Sequence, residues 1–394
     1  MSMIVKITIS LVTILLLSGC WDRTELNDLA MITALAFDKA ENNQIQTTVQ
    51  ISIPQSQGGG MMGGGSGSTP KTVTQSEKGY DVTDALSKLQ RKVSRKLFWG
   101  QCKVFIFGEE VAKAGIREHF DFLLRHPKTR ERAYLFVASG KASEALDLSP
   151  PSERSSAEVL RKLTELKIGV RVTVEQFSMM LKGDSQAAAL PLVNILPPPP
   201  SASNPNQTIP FIFGTAVFKK DKMVGDISEK DTRGVLWLKN EIKEYTITFK
   251  NEKGEGLVSL NPVKADVKLL PKIKGDKWVM TVKVKTVGDI VQNATLLNPM
   301  NQDLLRILNK AYVKDVTTRI QTALRKVQHE LKTDIFNFAS EFHRKYPKHW
   351  ERSKDRWDEI FPKVEVNIKV NARILRPGLI NTPGGMPAEE TIRH

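Results

Sequence analysis

The sequence predicts an α+β, multi-domain protein: mixed sheets with packed helices, ending in a C-terminal antiparallel sheet against one long helix. Three observations carry this. Short apolar runs alternate with amphipathic helical segments through the first half. Apolar residues from Leu305 through Tyr312, Val316, Ile320 and Val327 to Phe338 recur every three or four positions, one face of a helix. Near the end, Val364, Val366, Ile368, Val370 and Ala372 point one way, while Lys363, Glu365, Asn367, Lys369, Asn371 and Arg373 point the other.

The chain has 394 residues with 58 basic against 43 acidic side chains, a net charge of +15. That length allows two or three domains with real cores. Hydrophobic residues at 40% and charged residues at 26% exclude wholesale disorder. Two cysteines, Cys20 and Cys102, supply neither a disulfide framework nor a four-thiolate zinc site, and six scattered histidines make a poor metal centre.

Residues 1–19 read as an export signal. Lys6 marks the n-region and residues 7–17 form an apolar run. A helix of that length rises ~16 Å, about half the hydrocarbon thickness, so it suits a cleaved signal better than a permanent span. Leu17-Ser18-Gly19-Cys20 follows the lipobox pattern of bacterial lipoproteins, with small residues before the cut and the Cys20 thiol available for thioether acylation. The mature chain then begins at Cys20. Diacylglycerol supplies two acyl chains at ~0.8 kcal/mol per buried CH₂, enough for stable anchoring to the lipid bilayer.

Next, 22–28 can start a short helix, and 31–37 reads as an apolar strand followed by a turn. Ile45, Thr47, Val49, Ile51 and Ile53 share one face of a half-buried strand. The glycine-rich loop at 58–67 reads as a hairpin tip before a strand at 71–76; no Gly-Lys-Ser/Thr follows it, so it is not a phosphate loop. Asp81 caps a helix expected to run to Lys96, with Leu86, Leu89, Val93 and Leu97 on one face. Strand 103–107, helices over 109–124, strand 133–139 and helix 141–146 come next, then helices 155–167 and 174–181. Pro197 to Pro200 forms a stiff segment and the best domain boundary, with a further break near 150.

The second half opens with strands 211–219 and 223–227, then a helix capped by Ser228 with Asp231 at its third position and running through Leu238. Strands are expected near 245–250, 256–260, 263–270 and 277–285, then the long helix and the final strand. The organisation is therefore a signal peptide at 1–19, an N-terminal domain at 20–200, a C-terminal domain at 208–380 and a tail at 381–394.

No catalytic constellation is found. His343 and His349 do not share a metal-binding spacing, and no Gly-x-Ser-x-Gly elbow is present. Cofactors are not called for. Trp357 reads as a core residue beneath the final strand, while Trp350, after the break at Pro347, is the candidate contact with a partner. The basic excess reads as spread along the chain. For an exported lipoprotein, anionic lipid headgroups are a more economical counterpart than nucleic acid.

Several blocks in order resemble the Ger(x)C family, the C subunits of spore germinant receptors. They are Cys20-Trp21-Asp22-Arg23-Thr24-Glu25-Leu26, Arg95-Lys96-Leu97-Phe98-Trp99-Gly100-Gln101, Thr215-Ala216-Val217-Phe218-Lys219, Asp231-Thr232-Arg233-Gly234-Val235-Leu236-Trp237 and Trp357-Asp358-Glu359-Ile360-Phe361-Pro362. The loop at 58–67 is longer than the family pattern. The resemblance implies several α/β domains without an active site, anchored on the outer face of the spore inner membrane. It further implies partnership with two integral membrane subunits, A and B, with the nutrient held by B and this subunit assembling or gating the receptor. The rival reading is a lipid-anchored extracytoplasmic solute-binding protein of a transporter, which would need two similar lobes around a cleft.

Overall fold

The computed structural model describes residues 3–4, 25–52, 72–242, 245–250 and 256–378. Cys20, the loop at 58–67 and the tail at 381–394 lie outside them.

The first sheet is built from β1 (Leu29–Lys39), β2 (Ile45–Ser52), β3 (Thr72–Gly79), β4 (Lys96–Phe98), β5 (Val104–Gly108), β6 (Tyr134–Ala138), β7 (Ala187–Ile195), β8 (Pro210–Lys219) and β9 (Lys222–Ser228). Its order is β3-β2-β1-β5-β6-β7-β8-β9, with β4 paired alongside β1. The central strands β1, β5, β6 and β7 run parallel, and antiparallel hairpins complete both edges. Parallel neighbours need crossovers, which helices supply: α1 (Val82–Gln90), α2 (Glu109–Ala114), α3 (Arg117–Arg125), α4 (Ala142–Leu146), α5 (Ser156–Glu165) and α6 (Val174–Lys182).

These helices cover both faces. Leu35, Phe37, Phe105 and Phe107 pack beneath α1, α2, α3 and α6, whereas Ala34, Ala36, Val104 and Ile106 pack beneath α4 and α5. A bulge between Ile32 and Ala34 lets Ile32 share the face of Leu35 and Phe37. Strand β2, expected to be half-buried, is therefore buried on both faces, with Thr48 and Gln50 inside as well as Val49 and Ile51.

Three local expectations change. Asp81 caps α1 through the Asp84 N–H, but the helix ends at Gln90, whose amide bonds the Val93 and Arg95 carbonyls and the Leu97 N–H. Leu97 leaves the expected helical face for β4. Strand β7 was not anticipated, because its alanines and Pro191 carry little strand propensity; burial between two neighbours decides it. The proline-rich segment joins β7 to β8, so the first sheet continues across it.

After α7 (Glu229–Leu238) comes a second sheet in the order β10-β11-β12-β13, formed by β10 (Ile247–Lys250), β11 (Leu257–Lys274), β12 (Lys277–Asn293) and β13 (Glu365–Arg376). Two expected strands merge into β11, which carries bulges near Leu260 and Pro262. The first three strands are antiparallel, as expected, but β13 runs parallel to β12. Its chain returns through a helical crossover rather than a hairpin. That crossover is α8 (Gln302–Leu324), a π-helical turn at Arg325–Glu330, then α9 (Phe338–Lys345), α10 (Pro347–Ser353) and α11 (Trp357–Ile360).

The long helix is shorter than its periodicity predicts. Leu304, Leu308, Tyr312, Val316 and Ile320 form the buried stripe on the sheet, but the chain turns sharply after the π-helical turn, with Lys332 and Asn337 left-handed. Ile335 and Phe338 are buried beyond that turn. Helices α7 and α8 cross closely at Gly234, where a Cβ would lie 2.2 Å from the Arg319 carbonyl oxygen. One hydrophobic core joins Ala189, Val217 and Ile227 of the first sheet to α7, α8 and the inner face of the second.

Candidate functional site

Among the described residues, no three His, Cys, Asp or Glu side chains converge to hold a metal ion. Cys102 is fully buried just before β5, and burial pushes its thiol up to about 12, so it presents no thiolate at neutral pH. No described helix is long and apolar enough to cross a membrane.

A cavity of about 850 Å³ forms a groove beside α3, bordered by the start of α1 and the end of α6. His119 stacks on Phe37, and burial holds its imidazole below the ordinary value. Asp121 grips Arg125 through two 2.9 Å hydrogen bonds at the rim. The charges bordering the groove are mixed, Asp81, Glu118, Asp121 and Asp221 against Arg117, Arg125 and Lys182.

The more constructed region lies where the two halves meet. Asp184, between α6 and β7, is hydrogen-bonded to His343 Nδ1 of α9 at 2.9 Å. Lys219, at the end of β8, pairs with Asp358 of α11 and donates to the Ser185 carbonyl at 3.0 Å. Lys345 donates to the Pro271 carbonyl in β11 at 2.8 Å. These links tie the helical crossover to both sheets.

Beneath them sits an aromatic cluster. Trp278 of β12 lies edge-on to Phe342 at 4.7 Å and to Trp357 at 5.8 Å, and Trp350 lies edge-on to Trp357 at 5.3 Å. Trp357 is 3% exposed, as the core reading expected, and donates its indole N–H to Asp334. Trp350, expected to face a partner, is 2% exposed and stacks on His343. Its surroundings correct that expectation: α10 folds back over the end of the sheet, so its single large aromatic points inward beneath charged Glu351, Arg352 and Lys354.

Asp334 was missed by sequence reasoning. It is buried, and its two oxygens accept the N–H groups of Phe336, Phe338 and Ala339 together with the Trp357 indole. Burial raises its carboxyl above the ordinary value, against the lowering by those four donors. An acidic residue just before a helical run is the signal that could have found it. Cys20, the expected lipidation site, lies outside the described residues.

Comparison with known proteins finds matches to both halves. Residues 22–195 match the spore germination protein N-terminal domain, and residues 213–378 match the spore germination B3/GerAC-like C-terminal domain. Spore germination protein KC of Bacillus subtilis (strain 168) is 30% identical over 392 residues, with 95% of each chain covered. Putative spore germination protein YfkR of the same organism is 27% identical, covering 96% of this chain and 97% of the other. Among solved structures, that of the GerBC protein superposes with a TM-score of 0.58 at 19% identity, covering 86% of this chain and 96% of that one. The last likeness is one of fold.

Proposed function

The chain belongs to the Ger(x)C family of spore germination proteins, and from that premise we propose that it is the lipid-anchored, non-catalytic C subunit of a nutrient germinant receptor. The observation that carries the reading is the pair of family domains, matched in order and covering nearly all of the chain after Cys20. In this reading Cys20 is acylated and holds an N-terminal domain at 20–200 and a C-terminal domain at 208–380 on the outer face of the spore inner membrane. The integral membrane A and B subunits are its partners, B holds the nutrient, and this subunit assembles or gates the complex. The solute-binding alternative gains no support from two sheets as unlike as a nine-stranded and a four-stranded one sharing one core.

Acylation is tested by detergent partitioning and by mass spectrometry of the mature N-terminus, comparing the native chain with Cys20→Ala. The native chain should enter the detergent phase with a diacylglyceryl mass on Cys20, and the variant should remain an unprocessed precursor. Co-purification from spore membranes should recover the A and B subunits with the native chain. A native N-terminus without acyl mass, or a chain that never co-purifies with either subunit, would refute the proposal.

A further inference from the structure

The outer face of the second sheet is open and strongly basic. Pairing places Lys268 of β11 beside Lys283 of β12, and Lys283 beside Lys369 of β13, so three lysines stand abreast on one face. All three are exposed. In the neighbouring rows Lys264 and Arg373 flank Val287, and Lys285 stands between Asp266 and Asn371. Lys272, Lys274 and Lys277 carry the charge to the hairpin tip. The acids here are Asp266, Glu365 and Asp276 in the turn at the tip, with Glu365 3.8 Å from Lys277 and both of those side chains largely in solvent. Among the described residues, no carboxylate pairs with Lys268, Lys283 or Lys369.

The basic excess that the sequence suggests is spread along the chain is therefore gathered, in part, by strand pairing. Directly opposed like charges destabilise a sheet, and the nearest acid in the adjoining row, Asp266, faces Lys285 rather than these three. A face four strands wide cannot enter a nucleic-acid groove as a helix or a two-stranded ribbon does. Its charges are nearly all lysine, a point charge suited to diffuse anionic potential rather than to forked recognition of one carboxylate or phosphate.

We propose that this face rests against anionic lipid headgroups of the membrane, an inference that takes only its location from the anchored reading above. One end of the chain is then tethered at Cys20, and the second sheet lies flat on the bilayer as an independent contact. The inner face of that sheet, covered by α8, turns the shared core and the junction helices away from lipid.

The test is lysine acetylation, read by mass spectrometry, on the full chain reconstituted on vesicles of phosphatidylcholine alone or with added phosphatidylglycerol. On anionic vesicles, labelling of Lys268, Lys283 and Lys369 should slow by roughly fivefold, the factor matching one basic side chain held near such a surface. High salt should erase the difference, while Lys128 and Lys141 of the first half label equally on both. In Lys268→Glu/Lys283→Glu/Lys369→Glu, the protection of Lys272 and Lys285 should also vanish. Equal labelling on both vesicle types would overturn the proposal. So would protection seen only in native membranes that carry the partner subunits, because the occupant would then be protein. An N-terminus without acyl mass, with the lipid-dependent contrast intact, would refute the anchored reading and support the lysine face.

Discussion

The two sheets bury their strands by opposite means. In the first, helices lie on both faces, and the central strands read as unbroken apolar runs such as Val104-Phe105-Ile106-Phe107. In the second, helices cover one face only, and β13 alternates strictly, with Val366, Ile368 and Val370 inward and Glu365, Asn367, Lys369 and Asn371 outward. A doubly covered sheet has no surface to offer except at its edges and through its helices. The singly covered one offers a whole face, and that face is where the charge has gathered. Position in the layers, not composition, decides which half presents an open charged face.

The largest effect that could break this comparison lies under the covered face of the second sheet, where Trp278 packs against Phe342 and Trp357. Trp350→Ala and Trp357→Ala should each cost ~3–5 kcal/mol, the range for emptying a buried aromatic site. Trp357→Ala also strips the indole donor from Asp334. Urea denaturation of the full chain is the measurement. A wild-type midpoint for Trp350→Ala beside a shifted one for Trp357→Ala would mean that α10 does not close over the cluster.

Legibility followed the same division. Strand β13 was plain because one-sided burial writes a period of two into the sequence, and its inward residues were read correctly. Strand β7 was invisible, because burial on both sides needs only small apolar residues and tolerates Pro191. The Ser228 cap, the Asp81 cap and the α8 stripe came through, since each is local. What did not come through was set by distant partners: the stop at Gln90, the turn around Asp334, the parallel docking of β13 and the inward turn of Trp350. The lysine row depends on which strands pair, so its members lie far apart along the chain.

Gln50 sharpens the comparison from the doubly covered side. It is a buried amide in β2 that donates to the Leu146 carbonyl at 2.7 Å and accepts from the Thr33 hydroxyl at 3.0 Å. Gln50→Leu keeps the volume but leaves the carbonyl unpaired beneath α4, which should cost ~1–3 kcal/mol. A thermal-unfolding midpoint unchanged from the native chain would show that water reaches that face.

Acid should weaken the first half through His119. Burial lowers its imidazole below the ordinary 6.5, so the folded state binds the proton less readily than the unfolded chain. Stability from this group is thus full above that value and is lost as pH falls below it. His119→Gln should flatten the drop in urea midpoint between about pH 7.5 and 5.5 relative to the native chain. Equal slopes in both proteins would place His119 in solvent.

The smallest effect separates a surface tolerated by chance from one kept at a cost. Lys283 stands between Lys268 and Lys369 at cross-strand distance, and each neighbour repels it. Opposed pairs of this kind shift stability by ~0.2–1 kcal/mol, so Lys283→Gln should stabilise the chain by a few tenths of a kcal/mol at low ionic strength, with the gain fading as salt screens the row. On the first sheet a comparable polar change, Gln50→Leu, destabilises, because that amide is bonded to Leu146 and Thr33 within the fold. If Lys283→Gln instead lowers stability in chemical denaturation at every salt concentration, its aliphatic stem packs across β11 and β13 and its charge is incidental. If stability rises and lipid-dependent protection of the neighbouring lysines falls in the same variant, the repulsion is held in place by what the face touches.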